Sequence, residues 1–246
     1  LIWIVFLARS YQIKNKDMKI NALLSLLHVA DPNLPIGGFS HSNGLETYVQ
    51  NNLVNDQEST LSFVQKMMKN NILHNDASYV KLVYNAMEAN DFSEVISLDS
   101  ECTALKSPKE VREGSHKLGS RLFKIFKSKN EHPLLKELEA YIAENKEVGN
   151  YAVIYSIVCF ISGISLKEAL TAFYFSTAAG IITNAVKLVP LGQIQGQEIL
   201  FKIQDEIEEW VNQTVALDRG LVGISNVGFD LRSMQHERLR SRLYMS

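Results

Sequence analysis

The segment GSHKLGSR at 114–121 is the part of the chain that most resembles a phosphate-binding loop. Such a loop carries a lysine after its second glycine, follows a strand and opens a helix. Here Ser120 stands in place of the lysine and Arg121 in place of the final serine or threonine. A capping pattern at 107–110, with serine, proline and glutamate in order, places the segment inside a helix. We therefore expect no nucleotide site, and the two glycines are predicted to serve close helix packing.

Histidine and cysteine, which most often bind transition metals, do not cluster in this sequence. None of the six histidines pairs with another at metal-ligand spacing, and neither Cys102 nor Cys159 has a nearby histidine. Two distant cysteines outside any CxxC pair argue against a disulfide framework and fit a reducing cytoplasm. No catalytic order of serine, histidine and aspartate stands out from chance. We predict no cofactor, no metal within one chain and no enzyme, although a metal site shared between two subunits stays open.

The composition is that of a globular protein with a sizeable core. The chain has 246 residues, of which 46% are hydrophobic and 21% charged. Its formal net charge is −2, so no general positive field is available to hold nucleic acid. Nucleic acid is therefore discounted as a partner.

Helix signals are frequent and strand signals scarce, which predicts an all-α fold with a single compact, bundle-like multi-helix domain and a flexible C-terminal tail. Helix caps at 107–110 and 165–168 open two helices, and Pro190 stops the second. Short connections favour one core domain at 18–217, followed by a linker and partner-binding tail at 218–246. The other helices are predicted near 19–29, 43–51, 57–72, 75–89, 93–104, 133–145, 149–162 and 196–215.

Two uncharged segments, 148–166 and 169–186, are each long enough to suggest a transmembrane hairpin. Serine, threonine and asparagine interrupt both segments, which favours a buried helical hairpin at the centre of the domain. A membrane-associated helical protein that uses 148–189 is kept as an alternative, and so is a helical enzyme whose site is not recognisable.

The first seventeen residues look foreign to the rest of the chain. Residues 1–8 are apolar but too short to span a membrane, and neither a preceding basic region nor a clean cleavage site marks a signal peptide. Met18 opens a sensible amphipathic stretch. We therefore expect 1–17 to be a non-native or upstream extension that function does not need.

Two compact turns interrupt the helices. In DPNLPIGGFSHS at 31–42, two prolines fix the backbone and Gly37-Gly38 permits positive φ or a close approach. This segment is either a rigid turn between helices or a loop shaped to touch a partner, with His41 exposed. VPLGQIQGQ at 189–197 is a second turn, in which the glutamines can satisfy helix ends.

The C-terminus has an unusual pattern. Three glycines make 218–229 look like a loose linker. If 230–244 is one helix, its leucines, Met234, Arg238 and Arg242 share a broad arc. A helix built for its own core would not place two guanidinium groups there, whereas a helix built for a partner could. We therefore expect a tail that is poorly ordered until a partner supplies acceptors.

Four motifs together resemble the UreF family of urease accessory proteins. They are DPNLPIGGFSHSNGLE at 31–46, REGSHKLGSRL at 112–122, KLVPLGQIQGQ at 187–197 and DLRSMQHERLRSRLY at 230–244. The resemblance runs from Met18 to the C-terminus. One departure is Asn150, which follows Gly149 where the family often has a histidine.

The resemblance implies a cytoplasmic homodimer that acts in nickel insertion as a non-catalytic chaperone. Such a protein binds UreD (also called UreH), recruits the GTPase UreG and docks on the urease apoprotein. By motif, the implied tail contacts to UreD are Arg232, Met234, His236, Glu237, Arg240, Arg242 and Leu243. The 31–46 segment is implied to lie near the complex-forming surfaces, through Gly37, Gly38, Ser40, His41 and Glu46.

Overall fold

The computed structural model describes residues 18–38, 41–42, 44–129, 132–145, 148–239 and 242–244. These residues form helices, turns and loops with no strand among them, which confirms the predicted all-α domain. The expected extension at 1–17 lies outside the described residues, so its dispensability stays a prediction.

The helices lie close to their predicted positions. In chain order they are α1 (Ile20–Ala30), α2 (Leu45–Gln50), α3 (Gln57–Met67), α4 (Asp76–Glu88), α5 (Phe92–Leu105), α6 (Lys109–Lys127), α7 (Pro133–Glu144), α8 (Tyr151–Ile161), α9 (Leu166–Leu188), α10 (Gln193–Ala216) and α11 (Val227–His236). A π-helical turn, Met68–Ile72, continues α3, and a 3-10 turn, Arg219–Leu221, follows α10.

One of the two predicted caps is formed as expected. The Ser165 hydroxyl accepts from the Glu168 amide, and the Glu168 carboxylate accepts from the Ser165 amide at 2.8 Å. The capping pattern at Ser107 was wrong, because Pro108 is extended and α6 begins only at Lys109. Ser107 is thus one residue too early to cap α6. The segment 114–121 nevertheless lies within α6, as predicted.

Helices α8 and α9 lie at the centre of the core, which confirms the buried hairpin. Most of α8 is buried, and its hydroxyls bond inward: Ser156 donates to the Val80 carbonyl at 2.8 Å and Tyr155 to the Ala169 carbonyl at 2.8 Å. In α9, the buried Asn184 donates to the His41 carbonyl at 2.6 Å. Ser156 and Asn184, two of the polar residues that interrupt the apolar segments, therefore have partners inside the protein.

By length and composition, one helix in the described part of the chain could cross a membrane, namely α9. Of its most apolar window, 56% is buried inside the protein. The core helix of a soluble protein meets the same criteria, and the contacts above place α9 in such a core. The membrane alternative therefore has no support from this helix.

Both glycines of the 114–121 segment allow close packing, as predicted. A methyl group on Gly119 would overlap the Gly149 carbonyl oxygen, where the chain enters α8. On Gly114 it would lie 2.9 Å from the His41 ring. The buried Asp99 holds this entry to α8 in place, because its carboxylate accepts from the amides of Gly149 and Asn150 at 2.7 and 2.8 Å.

The departure from the family motif, Asn150, is part of the same buried network. Its side-chain amide donates to the Asp99 carboxylate at 2.9 Å and to the Thr103 hydroxyl at 2.7 Å. Asn150 therefore joins α5 to the start of α8 and is not exposed to a partner.

The segment 218–229 is not the loose linker that its glycines suggested. The Gly223 amide donates to the His74 carbonyl at 2.8 Å, and the Asn75 side chain donates to the Ile224 carbonyl at 3.2 Å. Gly223 has φ +83°, a conformation that glycine adopts without strain. Gly223 is thus part of a defined turn, and the two hydrogen bonds fix this turn against the start of α4.

Candidate partner-binding surface

The C-terminal helix α11 packs through one face on α2 and α6. The Asn226 side chain caps it by accepting from the Phe229 amide at 3.4 Å. Phe229, Ser233 and His236 recur at helical spacing and are buried. Sequence reasoning expected an unanchored tail here. The structure corrects this, because these three residues make the inner face of α11 part of the domain.

Gly44 makes this packing possible. It precedes α2 in the left-handed conformation, with φ +75°. A Cβ atom at this position would lie 3.1 Å from the Ser233 hydroxyl oxygen and 3.2 Å from the Phe229 ring. Glycine is therefore suited to this position both by its backbone conformation and by the closeness of α11.

The outer face of α11 carries an apolar stripe made of Val227, Leu231 and Met234. These side chains are 63%, 55% and 39% exposed, and their spacing places them on one side of the helix. Beside the stripe, the Arg232 guanidinium lies 6.0 Å from the centre of the Tyr48 ring and also donates to Gln235. The stripe is thus an exposed apolar surface on a helix whose opposite face is buried in the domain, and such surfaces are a common feature of protein contact sites.

His236, at the end of α11, is fully buried between two carboxylates. Its Nδ1 lies 2.8 Å from Glu110 of α6, and its Nε2 lies 3.1 Å from Glu46 of α2. Arg242 pairs with the second oxygen of Glu110. We call Glu46, Glu110, His236 and Arg242 the His236 cluster. It ties the C-terminal segment to two helices of the core.

Glu46 also holds the backbone beyond α11. Its carboxylate accepts from the Leu243 amide at 2.9 Å and from the Tyr244 amide at 3.2 Å. With its bond to His236, this nearly fully buried carboxylate has three partners, all from the C-terminal segment. Detaching that segment would therefore leave Glu46 without these partners.

The expectation that one continuous helix would align Leu239, Arg238 and Arg242 with Leu231 was wrong. The helix ends at His236, and the amides of Arg238 and Leu239 turn back to the carbonyls of Gln235 and His236. The expectation that the chain supplies no acceptor for the arginines was also wrong for Arg242, whose acceptor is Glu110.

Residues from three of the four motifs meet beside the cluster. A cavity of about 420 Å³ is lined by His41 from the first motif, Gly114 from the second and Arg242 from the fourth. The third motif forms the turn between α9 and α10, where the Gln195 side chain accepts from the Gly192 amide at 2.8 Å. The first, second and fourth motifs are therefore one structural unit.

His41 is buried, contrary to the expectation of an exposed loop histidine. Burial lowers the pKa of its imidazole, the positive charges of Lys117 and Arg121 lower it further, and Glu110 opposes them. His41 is therefore neutral at physiological pH.

The remaining site residues fall into three groups. Leu243 is exposed, as is Met234, and Glu237 is half-buried, so these stay candidates for direct contact. His236 and Glu46 are buried in the cluster, so their contacts are internal in this arrangement. Gly37 has φ +86°, Gly38 has open space around its Cα, and Ser40 and Arg240 lie outside the described residues.

Sequence reasoning missed Glu110 and Gly44 as site residues. Glu110 was noticed only as part of a helix cap, since its partner His236 lies 126 residues further along the chain. The two cysteines take no part in the site: burial raises the pKa of each thiol to about 12, so both are protonated and unreactive.

An all-helical domain with a clamped C-terminal segment and an exposed apolar stripe is typical of a binding protein. Comparison with known proteins identifies the class. The family model UreF matches residues 54–204. A urease accessory protein UreF of Actinobacillus pleuropneumoniae serotype 5b is 44% identical over 90% of this chain and 98% of its own. Those of Haemophilus influenzae (strain KW20) and Bacillus sp. (strain TB-90) are 42% and 34% identical, over 94% and 92% of this chain and 98% and 100% of their own.

The protein is thus a urease accessory protein, a maturation factor and not an enzyme. The chain belongs to the UreF family. This confirms the resemblance drawn from the four motifs and removes the alternative of a helical enzyme.

Proposed function

We propose that the chain is a cytoplasmic, homodimeric adaptor that binds UreD (UreH) and recruits the UreG GTPase, so that nickel reaches the urease apoprotein. Membership of a family of urease accessory proteins supports a role beside other maturation proteins. The observation that carries the UreD contact is the apolar stripe on α11, held in place by the His236 cluster.

The stripe has the properties of a docking surface. Its three apolar side chains are exposed, while the inner face of the same helix is anchored in the core. A partner would therefore bury apolar area without first having to order the helix, which keeps the entropic cost of binding low. Arg232 and Met234, both implied as UreD contacts by the family motif, lie on or beside the stripe, and both residue types are common at interfaces.

The decisive experiment changes one side chain of the stripe. Leu231→Asp is expected to leave folding intact, because Leu231 is 55% exposed, but to place a charge in the proposed contact. Its affinity for UreD should fall by about 2 kcal/mol, roughly 30-fold in Kd. The measurement is a titration of labelled UreD, followed by urease activation in cells.

Phe201→Asp is the matched control, since Phe201 is a 61% exposed apolar residue on the separate helix α10. It should bind UreD as the unmodified chain does. Equal binding by Leu231→Asp and the control would remove α11 from the UreD contact and direct attention to the 31–46 segment.

A further inference from the structure

The His236 cluster contains more hydrogen-bond acceptors than a neutral histidine can serve. Both ring nitrogens face carboxylate oxygens, at 2.8 Å from Glu110 and 3.1 Å from Glu46. A neutral imidazole has one N–H donor and one acceptor nitrogen, whereas an ionised carboxylate only accepts. A neutral His236 would thus set a lone pair against a carboxylate. The observed geometry requires one additional proton, held by the imidazole or by one of the two carboxyl groups.

Charge balance leads to the same conclusion. When the additional proton is bound, the negative charges of Glu46 and Glu110 are balanced by the positive charges of His236 and Arg242, and the cluster is neutral. Without it, one negative charge is left unbalanced where His236 is 0% and the Glu46 side chain only 3% exposed. Burying an unbalanced charge costs several kcal/mol. The arrangement seen here therefore favours the protonated form.

The surrounding charged groups do not replace this proton. On α6, Glu113 and Lys117 line the adjoining cavity and carry opposite charges. His41, on the loop before α2, lines the same cavity and is neutral because its pKa is lowered by burial and then by neighbouring positive charges. On α11 itself, Arg232 lies over the Tyr48 ring of α2, and Glu237 follows His236. Tyr244, from the tail, contacts Glu46 through its amide and carries no charge.

We propose that the His236 cluster is a proton-dependent latch, which holds the C-terminal segment on α2 and α6 while it retains its proton and releases the segment as pH rises. Histidine is the side chain that changes charge in the physiological range. In the released segment the histidine loses the two neighbouring carboxylates, whose negative charges favour its charged form.

The direction follows from the number of protons bound. Above the pH at which an exposed histidine is neutral, the latched form binds one proton more than the released form. Raising the pH therefore shifts the equilibrium towards release, by up to about tenfold per pH unit until the latched form also loses its proton. Below that range both forms are protonated, and the latch has its full strength.

The latch bears on function because it carries the apolar stripe, and only this consequence rests on the proposed function. If α11 binds UreD, capture of UreD will depend on pH through the latch. The latch itself is a property of this chain alone and can be tested without any partner.

Hydrogen exchange of the full chain tests the latch directly. Amide protection of 227–239 is compared with that of α8 at about pH 6, 7 and 8, with labelling times scaled for the intrinsic exchange rate. Protection of 227–239 relative to α8 is expected to fall roughly tenfold or more from the lowest to the highest pH. Equal relative protection across the range would overturn the proposal.

Glu110→Gln isolates the proton requirement. The amide can donate to one ring nitrogen of a neutral His236, while the other nitrogen donates to Glu46, so no additional proton is needed. This variant should keep α11 protected but lose the pH dependence. Glu113→Gln, one turn away on the same helix and lining the same cavity, should keep the slope of the unmodified chain. A slope in Glu110→Gln equal to that of the control would contradict the latch.

His236→Gln serves if circular dichroism shows that Glu110→Gln does not fold. Glutamine at position 236 leaves the cluster without its histidine, so the relative protection of 227–239 should be independent of pH, and a persistent slope would overturn the proposal. Because UreD is absent from all these measurements, a failure of UreD capture would count against the proposed function and not against the latch.

Discussion

Replacing His236 with alanine is expected to destabilise the attachment of the C-terminal segment by about 3 kcal/mol. The substitution removes the group between Glu46 and Glu110, and leaves two carboxylates facing a cavity with Glu46 almost fully buried. It also removes two hydrogen bonds that are charge-assisted. Thermal unfolding should shift to lower temperature, and trypsin should cut after Arg232 and Arg238 if α11 detaches.

Two companion variants make this result specific. Gln235→Ala alters the neighbouring exposed residue and should change stability by less than about 0.5 kcal/mol. Adding Glu46→Gln to His236→Ala removes the stranded charge and keeps an acceptor for the Leu243 amide, so it should recover part of the loss. An unchanged melting temperature together with unchanged tryptic cleavage of His236→Ala would show that the cluster does not hold the tail.

The poorly ordered tail expected from the sequence would add little to the core, and removing 230–246 would then leave the melting temperature nearly unchanged. The structure shows Ser233 and His236 buried, with Glu46 receiving three hydrogen bonds from the removed segment. Truncation is now expected to destabilise the domain, so it is a poor test of UreD binding. A single change on the exposed stripe is the sharper test.

Gly119→Ala is expected to lower the free energy of unfolding by about 3 kcal/mol, which corresponds to a fall in Tm on the order of 10 °C. The added methyl group would overlap the Gly149 carbonyl oxygen, which belongs to backbone and cannot rotate away. Asp99 holds this backbone through the amides of Gly149 and Asn150. Helix α6 would therefore have to move away from the start of α8. Denaturant titration monitored by circular dichroism measures the change.

Gly180→Ala is the matched control within α9. A Cβ atom at this position meets nothing within 4 Å, and alanine is the better helix former. The control should therefore stabilise the domain by about 0.5–1 kcal/mol. A loss in Gly119→Ala no greater than about 0.5 kcal/mol would show that α6 and the 149–150 segment can separate without cost.

Burial of the family motifs suggests how they contribute to function. In this structure Glu46, His41 and Gly114 are buried, and His41 packs against Gly114 at the cavity. These three residues form part of the surface on which the C-terminal segment packs, which we call the seat. The exposed large apolar residues of α11 are those of the stripe. We therefore expect substitutions in the seat to act on partner binding through the position of α11, and substitutions in the stripe to act directly.

The sequence by itself determined the helices and the buried hairpin, because these depend on local signals. The Ser165–Glu168 cap and the stop before Pro190 are formed by residues a few positions apart, and both are seen in α9. The absence of charge over 148–166 and 169–186 was enough to indicate the central core helices. The sequence correctly predicted that Gly119 serves close helix packing. It did not predict that the group packed against Gly119 is the Gly149 carbonyl.

Only the tertiary structure decided the site. His236 lies 190 residues from Glu46 and 126 residues from Glu110, so no local spacing could reveal that they meet. The periodicity of the sequence predicted that α11 continues through 244, but the helix ends at His236. The chain turns there, so that Arg242 reaches the Glu110 carboxylate and the amides of Leu243 and Tyr244 reach the Glu46 carboxylate. Those long-range contacts outweigh the local preference for a longer helix, because a buried carboxylate must find donors and the C-terminal segment supplies them.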